Sequence, residues 1–160
     1  MSELVIRQAT GQDAGLILEF IKELARYEKA EDEVIASEAD IIESLFANSS
    51  RAKAVICEND GEPIGYAVYF FNYSTWLGKN GLYLEDLYIT PKKRGTGAGK
   101  ALLRYLAQQA VSNNCGRFEW SVLDWNESAI KFYESIGAKA QSEWVGYRLA
   151  GQALLDLAES

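Results

Sequence analysis

No histidine occurs among the 160 residues of this chain. That removes Ser-His-Asp and Cys-His catalysis and every histidine-based metal site. Any general acid or base must come from Glu, Asp, Tyr, Lys or Cys. Cysteine is scarce as well. Cys57 and Cys115 form no C-x-x-C spacing and no disulfide framework, and they read as reduced, structural thiols of a cytoplasmic protein. No apolar run is long enough to span a bilayer. The opening Met1-Ser2-Glu3-Leu4-Val5 lacks the basic start and apolar stretch of a signal peptide, so no membrane association is expected. Positive charge is in deficit, with 16 Lys and Arg against 23 Asp and Glu, a net charge of −7. Glu19, Glu23, Glu28, Glu31, Asp32, Glu33, Glu38, Asp40 and Glu43 gather the acidity near the N-terminus. Such a field repels nucleic acid and draws cations, although most of these carboxylates read as a solvated helix face.

What is present is an ordinary globular composition, 48% apolar and 12% aromatic, in a chain long enough for one domain over 1–160 with a real core. A short strand is expected over 4–7. Thr10 with Asp13 three residues later resembles a capping box, opening a helix through about Glu28 with Leu16, Ile17, Phe20, Ile21 and Leu24 on its buried stripe. Ser37 with Asp40 starts a second helix that buries Ile41, Ile42, Leu45 and Phe46. Strands over 53–58 and 63–71 flank Asn59-Asp60-Gly61-Glu62, a hairpin signal. Next come a strand over 83–90, a helix over 99–112 and a strand over 117–123. Asn126 caps a helix running to about Ile136, and Gly137 stops it. A last strand is expected over 144–149, then a short helix. This order makes an α/β architecture, a mixed sheet with helices packed on its faces.

The most informative stretch is Tyr83-Leu84-Glu85-Asp86-Leu87-Tyr88-Ile89 followed by Arg94-Gly95-Thr96-Gly97-Ala98-Gly99-Lys100. It is a strand with two carboxylates, then a glycine-rich turn, then a helix. The first amides of a helix lack intrahelical acceptors and, with the helix dipole, favour an anion. A P-loop would need Lys-Ser/Thr where Lys100-Ala101 stands, and a dinucleotide unit finds only Asp124 as a loose acidic partner. An acetyl-coenzyme A loop and a plain tight turn remain.

Asn126-Glu127-Ser128-Ala129-Ile130-Lys131-Phe132-Tyr133 lies about 30 residues further on. The two motifs in this order resemble the GNAT N-acetyltransferase superfamily. Ile21-Lys22-Glu23-Leu24-Ala25-Arg26-Tyr27-Glu28, Tyr73-Ser74-Thr75-Trp76 and Val122-Leu123-Asp124-Trp125-Asn126 are similar to the spermidine/spermine acetyltransferase branch, above all its thialysine- and diamine-acetylating members. The resemblance covers nearly the whole chain and implies the GNAT fold, a mixed central sheet with a splayed strand pair and helices on both faces.

It also implies acetyl-CoA as cosubstrate, no metal, a small cationic amine as acceptor, and a homodimer. Leu87, Tyr88 and Ile89 would bond the pantetheine arm through backbone groups. Arg94, Gly95, Thr96, Gly97, Ala98, Gly99 and Lys100 would hold the pyrophosphate, and Asn126, Ser128 and Ala129 would line the cofactor from the other side. Tyr133 matches the proton donor for the leaving thiolate; its bland alternative is a core tyrosine beside Phe132. Glu85 matches the carboxylate that takes the amine's proton, since an alkylamine of pKa ~10 arrives as ammonium. Asp86 falls on the other face of a regular strand, unless a bulge brings both carboxylates together. Its role is either catalytic or cation-attracting. Tyr27 and Glu28 match substrate-holding positions. Trp76 either stacks on the substrate or packs, as a core or dimer contact.

One departure bears on the substrate. Polyamine enzymes of the branch carry an acidic residue just before Gly-Trp-Arg in the last strand, and here Val145 precedes Gly146-Tyr147-Arg148. Losing a spaced carboxylate favours a diamine or basic amino acid over spermine. Acetylation of a protein lysine or N-terminus, and a non-catalytic acetyl-CoA-binding module, are the rival readings. Neither motif contains cysteine, so direct attack in a ternary complex is expected rather than an acetyl-cysteine intermediate.

Overall fold

In the computed structural model, which describes residues 3–160, alternating apolar segments build a five-stranded sheet, and that sheet positions the site. The chain divides into two units, one ending at Ser121 and one spanning Val122–Ser160. The first holds β1 (Leu4–Gln8), α1 (Ala14–Tyr27), α2 (Glu38–Phe46), β2 (Ala52–Asn59), β3 (Glu62–Ser74), β4 (Lys79–Ile89), α3 (Ala98–Ser112) and β5 (Phe118–Trp120). The second holds α4 (Glu127–Ser135) and α5 (Gly151–Glu159).

The sheet order is β1-β2-β3-β4-β5. The first four strands are antiparallel, and β5 joins β4 in parallel. Asp60 and Gly61 both take positive φ in the β2–β3 turn, the geometry a two-residue hairpin of this twist requires. The pairing of β5 with β4 is confined to Leu82↔Phe118, Tyr83↔Glu119 and Leu84↔Trp120. Since β4 runs on to Ile89, the two strands part after Leu84, which gives the splayed pair of a mixed sheet that does not close.

Helices cover both faces. On one, Ala14, Ile17, Phe20 and Leu24 of α1 and Ile41 of α2 pack on Ala54, Ile56, Tyr66 and Tyr88. On the other lies α3, which packs on β4 and β1, and whose Tyr105 hydroxyl accepts a hydrogen bond from Gln8 at 2.9 Å. The Thr10–Asp13 capping box is formed, and it closes a 3-10 turn over Gly11–Asp13 that leads into α1. The Ser37–Asp40 box caps α2 directly. Ile42 is exposed rather than part of the buried stripe, because α2 presents only Ile41, with Leu45 and Phe46 partly covered, to the core.

The strand expected over 144–149 does not form. A strand exists only as a paired object, and the C-terminal unit contains two helices and no strand to pair with. Packing within that unit leaves Trp144, Val145 and Tyr147 exposed. The strand expected over 117–123 likewise shrinks to the three residues that β4 pairs.

Candidate active site

The site is organised by one extra residue in β4. Val68 pairs with Asp86 and the next residue, Tyr69, pairs with Leu84, so Glu85 has no opposite number on β3. This bulge reverses the alternation of side chains. Leu82 and Leu84 stand opposite Phe71 and Tyr69, on the α3 face, whereas Asp86 and Tyr88 stand opposite Val68 and Tyr66, on the α1 face. Glu85 follows Tyr83, whose ring lies 5.3 Å from that of Phe70 opposite it, onto that same α1 face. The bulge therefore puts both carboxylates of the Glu85-Asp86 pair on one side of the sheet.

Tyr66 closes the arrangement from β3. Its hydroxyl donates to Asp86 Oδ2 at 2.7 Å, and its ring, fully buried, stacks on Phe20 at 5.5 Å. Burial raises the Asp86 pKa, and the Tyr66 hydrogen bond works against that rise. Glu28, at the end of α1, is also raised, first by burial and then by the Asp86 charge. Tyr66 itself is held well above the usual phenol range by burial, then by Asp86, Glu28 and Glu85. Three carboxylates from two elements thus act on one neighbourhood, Asp86 partly buried and Glu28 and Glu85 at its exposed edge. That is an environment for a cation and for moving a proton, and a costly one for stability alone.

Along β4 from these carboxylates lies the glycine-rich loop. Arg94 donates Nε–H to the Ile89 carbonyl at 3.0 Å, and its guanidinium lies over the rings of Tyr27 at 5.0 Å and Tyr88 at 5.3 Å. Thr96 donates to the Lys93 carbonyl at 2.6 Å. Gly95 and Gly97 take φ of +78° and +88°, which a side chain would strain, and Gly97 is the N-cap of α3. No side chain caps that helix, and a Cβ added at Gly95, Gly97 or Gly99 would meet nothing within 4 Å. The space over the helix start is open and its dipole is positive, so the loop fits an anion such as a pyrophosphate. Leu87, Tyr88 and Ile89 lie past the last β5 pairing, on the stretch of β4 that diverges from it.

In the C-terminal unit, Asn126 caps α4. Its Oδ1 accepts from the Ala129 N–H and from the Ser128 hydroxyl, both at 3.4 Å. The spacing of Asn126, Ala129 or Ile130, and Tyr133 puts them on one helix face, and the Tyr133 ring lies 5.9 Å from that of Phe132. Trp76 is placed apart from the carboxylates along the hairpin. It sits in the β3–β4 turn, and Asp86 lies seven residues along β4 from Lys79, roughly 23 Å of strand. Tyr66 was missed in the sequence, where it reads as one more apolar-strand position between Ile64 and Val68. Among the described residues no group of three or more acidic or cysteine side chains has the arrangement of a metal site.

The model of the acetyltransferase (GNAT) family matches residues 18–138. The chain belongs to that family. This acetyltransferase is 38% identical to the thialysine N-epsilon-acetyltransferase of Sus scrofa, over 99% of each chain. It is 46% identical to the L-ornithine N5-acetyltransferase of Arabidopsis thaliana over 60% of this chain and 42% of that one. Among solved structures, an integron cassette protein from the mobile metagenome of V. cholerae superposes with a TM-score of 0.82 at 30% identity, covering 98% of both chains. The acetyltransferase has the GNAT fold, and no helix among its described residues is long and apolar enough to cross a membrane.

Proposed function

We propose that this acetyltransferase transfers an acetyl group from acetyl-CoA to a primary amine of a small cationic substrate by direct attack in a ternary complex. A basic amino acid such as thialysine, or a diamine, is preferred to a long polyamine. The observation that carries the reading is the Glu85 and Asp86 pair, which the β4 bulge puts on one face with Glu28 at the end of α1, and the open, glycine-rich helix start further along. Two relatives whose names specify basic amino acids support the same substrate class. So does Val145, which stands where a longer polycation would want a carboxylate.

Bound acetyl-CoA supplies an activated thioester. Arg94, Gly95, Thr96, Gly97, Ala98, Gly99 and Lys100 hold its pyrophosphate with the N-terminal amides of α3. Leu87, Tyr88 and Ile89 offer backbone groups of the splayed strand to the pantetheine arm, as an edge strand does to an extended peptide. Asn126, Ser128 and Ala129 line the cofactor from their own helix. Tyr27, Glu28 and Asp86 receive the ammonium, and Glu85 takes its proton, through water, so that the neutral nitrogen attacks the acetyl carbon. As the C–S bond breaks, Tyr133 gives a proton to the sulfur. Trp76, in the β3–β4 turn, either stacks on the substrate or packs, as a core or dimer contact. The reading includes a cytoplasmic homodimer joined through the late strands and C-terminal region, where Val145 and Tyr147 are exposed within their own unit.

The test is release of free coenzyme A at saturating acetyl-CoA across spermidine, spermine, putrescine, diaminopropane, lysine, thialysine, ornithine and a lysine peptide. Turnover confined to basic amino acids and diamines is expected. Turnover of the peptide alone would move the acceptor to a protein lysine, and tight cofactor binding with no turnover would leave a sensing module.

A further inference from the structure

Tyr66 carries a hydroxyl that the core does not need. Its ring is fully buried, stacked at 15° on Phe20, and paired across the sheet with Tyr88. Phenylalanine would fill the same space without placing a polar atom in the interior, which costs stability unless that atom is hydrogen-bonded. Its partner is Asp86, one diagonal step along the strand pair, at 2.7 Å. The short distance and anionic acceptor mark a charge-assisted bond, roughly twice as strong as a neutral one.

Resting on the amine-acetylation reading above, we propose that Tyr66 is a positioning residue for the reaction. Its hydroxyl holds one oxygen of Asp86, keeping that carboxylate ionised and its other oxygen directed to the incoming ammonium. Several groups act at Asp86 and its neighbours. Tyr66 faces it from β3, Glu28 from the end of α1, and Glu85 from its own strand. Further along β4 stands Tyr88, on which Glu23, Arg26 and Arg94 act. The neighbours from α2 and β2 on this face, Ile41, Ala54 and Ile56, are apolar. No cation in that set compensates Asp86 directly, and burial pushes it toward its neutral form while the Tyr66 bond opposes the push. A neutral Asp86 has lost the charge that attracts an ammonium, so the hydroxyl sets how far into acid the enzyme keeps its grip on the amine.

The test is Tyr66→Phe, which keeps the stacked ring. Coenzyme A release is followed from the lowest pH at which the parent enzyme stays folded up to pH 9, with the amine that the parent enzyme prefers. The acid limb of kcat/KM is expected to move to higher pH. The KM for the amine should rise about tenfold at the acid end, the worth of a hydrogen bond to a charged group, while kcat and KM at the alkaline end stay near the parent values. A loss uniform across pH would show a merely structural role and overturn the proposal, as would an unchanged profile. Asp86→Asn gives an independent measurement should Tyr66→Phe fold poorly. It should abolish the acid limb, and adding Tyr66→Phe to it should change nothing further. A parent-like acid limb in Asp86→Asn overturns the proposal. A parent enzyme that acetylates no amine would instead overturn the functional reading itself, before any variant is compared.

Discussion

Two single-residue deletions in β4 separate the bulge from an ordinary strand irregularity. Removing Glu85 should close the ladder. Leu84 stays opposite Tyr69, Asp86 stays opposite Val68, and Tyr88 stays opposite Tyr66, so every downstream side chain keeps its face. Glu85 is exposed, and the deletion should cost about 1 kcal/mol or less, as a surface change away from packing does. Removing Leu87 also lets the ladder close, but with Glu85 opposite Val68 and Asp86 opposite Ala67. Asp86 is then turned to the α3 face beside a fully buried alanine. The Tyr66 hydroxyl loses its acceptor, the carboxylate loses its donor, and a half-buried leucine is gone. Together these should cost about 4 kcal/mol or more, since an orphaned buried polar group and a lost leucine each cost of order 1–3 kcal/mol. Urea unfolding followed by tyrosine and tryptophan fluorescence reads the contrast. With a denaturant slope of about 2 kcal/mol per molar, the two midpoints should differ by about 1.5 M. Equal midpoints would show that Glu85 is not the extra residue and that the bulge does not set the facing of Asp86. The amine-dependent turnover of the Glu85 deletion should fall at the same time, because the fold survives and the proposed base does not.

Other expectations follow from the same geometry. Asp13 accepts Arg7 through both oxygens at 2.8 and 2.9 Å and the Thr10 N–H at 2.8 Å, and its pKa is lowered, chiefly by the Arg7 hydrogen bonds. A depressed folded pKa gives stability that is present above the unfolded value of ~3.9 and lost as pH falls through the folded one. Asp13→Asn should therefore cost about 2 kcal/mol in urea unfolding at pH 7, and the difference should shrink below pH 4. Asp86 has the opposite sign. Its folded pKa is raised by burial, so its contribution to stability is lost as pH rises from the unfolded value through the folded one. Asp86→Asn should unfold at higher urea than the parent at pH 8 and match it at low pH, while losing activity. Tyr133→Phe should lower kcat far more than it raises the KM for the amine; full turnover across pH 7 to 9 would remove the proton-donor assignment. Light scattering should give twice the chain mass, and a monomer would refute the homodimer.

The sequence carried the helices well because their signals are local. The Thr10–Asp13 and Ser37–Asp40 boxes, the Asn126 cap and the positive-φ stop at Gly137 each need only a few neighbouring residues, and all four are in the structure. Strand facing was less legible. The letters Leu84-Glu85-Asp86-Leu87 are the same whether or not a bulge intervenes, and only the register against Val68 and Tyr69 decides it. The segment 144–149 failed for a related reason. Its residues suit a strand, but an alternating pattern supplies no partner, and its unit provides none. Tyr66 was invisible because a buried tyrosine in an apolar run gives no local sign of what its hydroxyl meets across the sheet.

Arg94 shows how the two halves of the proposed chemistry are tied together. Its proposed role is to hold an anion, and its guanidinium lies over Tyr27 at the end of α1 and over Tyr88 on β4, with its Nε–H given to Ile89. These engagements do not compete with an anion. The Ile89 bond uses only the Nε hydrogen, and a guanidinium carries four Nη hydrogens besides. The two rings and the Ile89 bond thus hold the guanidinium at one place on the loop proposed to bind phosphate. Lysine would keep the charge and lose this, because an ammonium has no face to stack and no fixed direction for its hydrogens. Tyr27 is followed by Glu28, one of the three clustered carboxylates. A loop held to Tyr27 is thereby held to the place where the amine is expected. The proposed cofactor loop and the proposed amine site are thus joined through one cation that contacts two rings, with Tyr88 on the same strand as Asp86 completing the link.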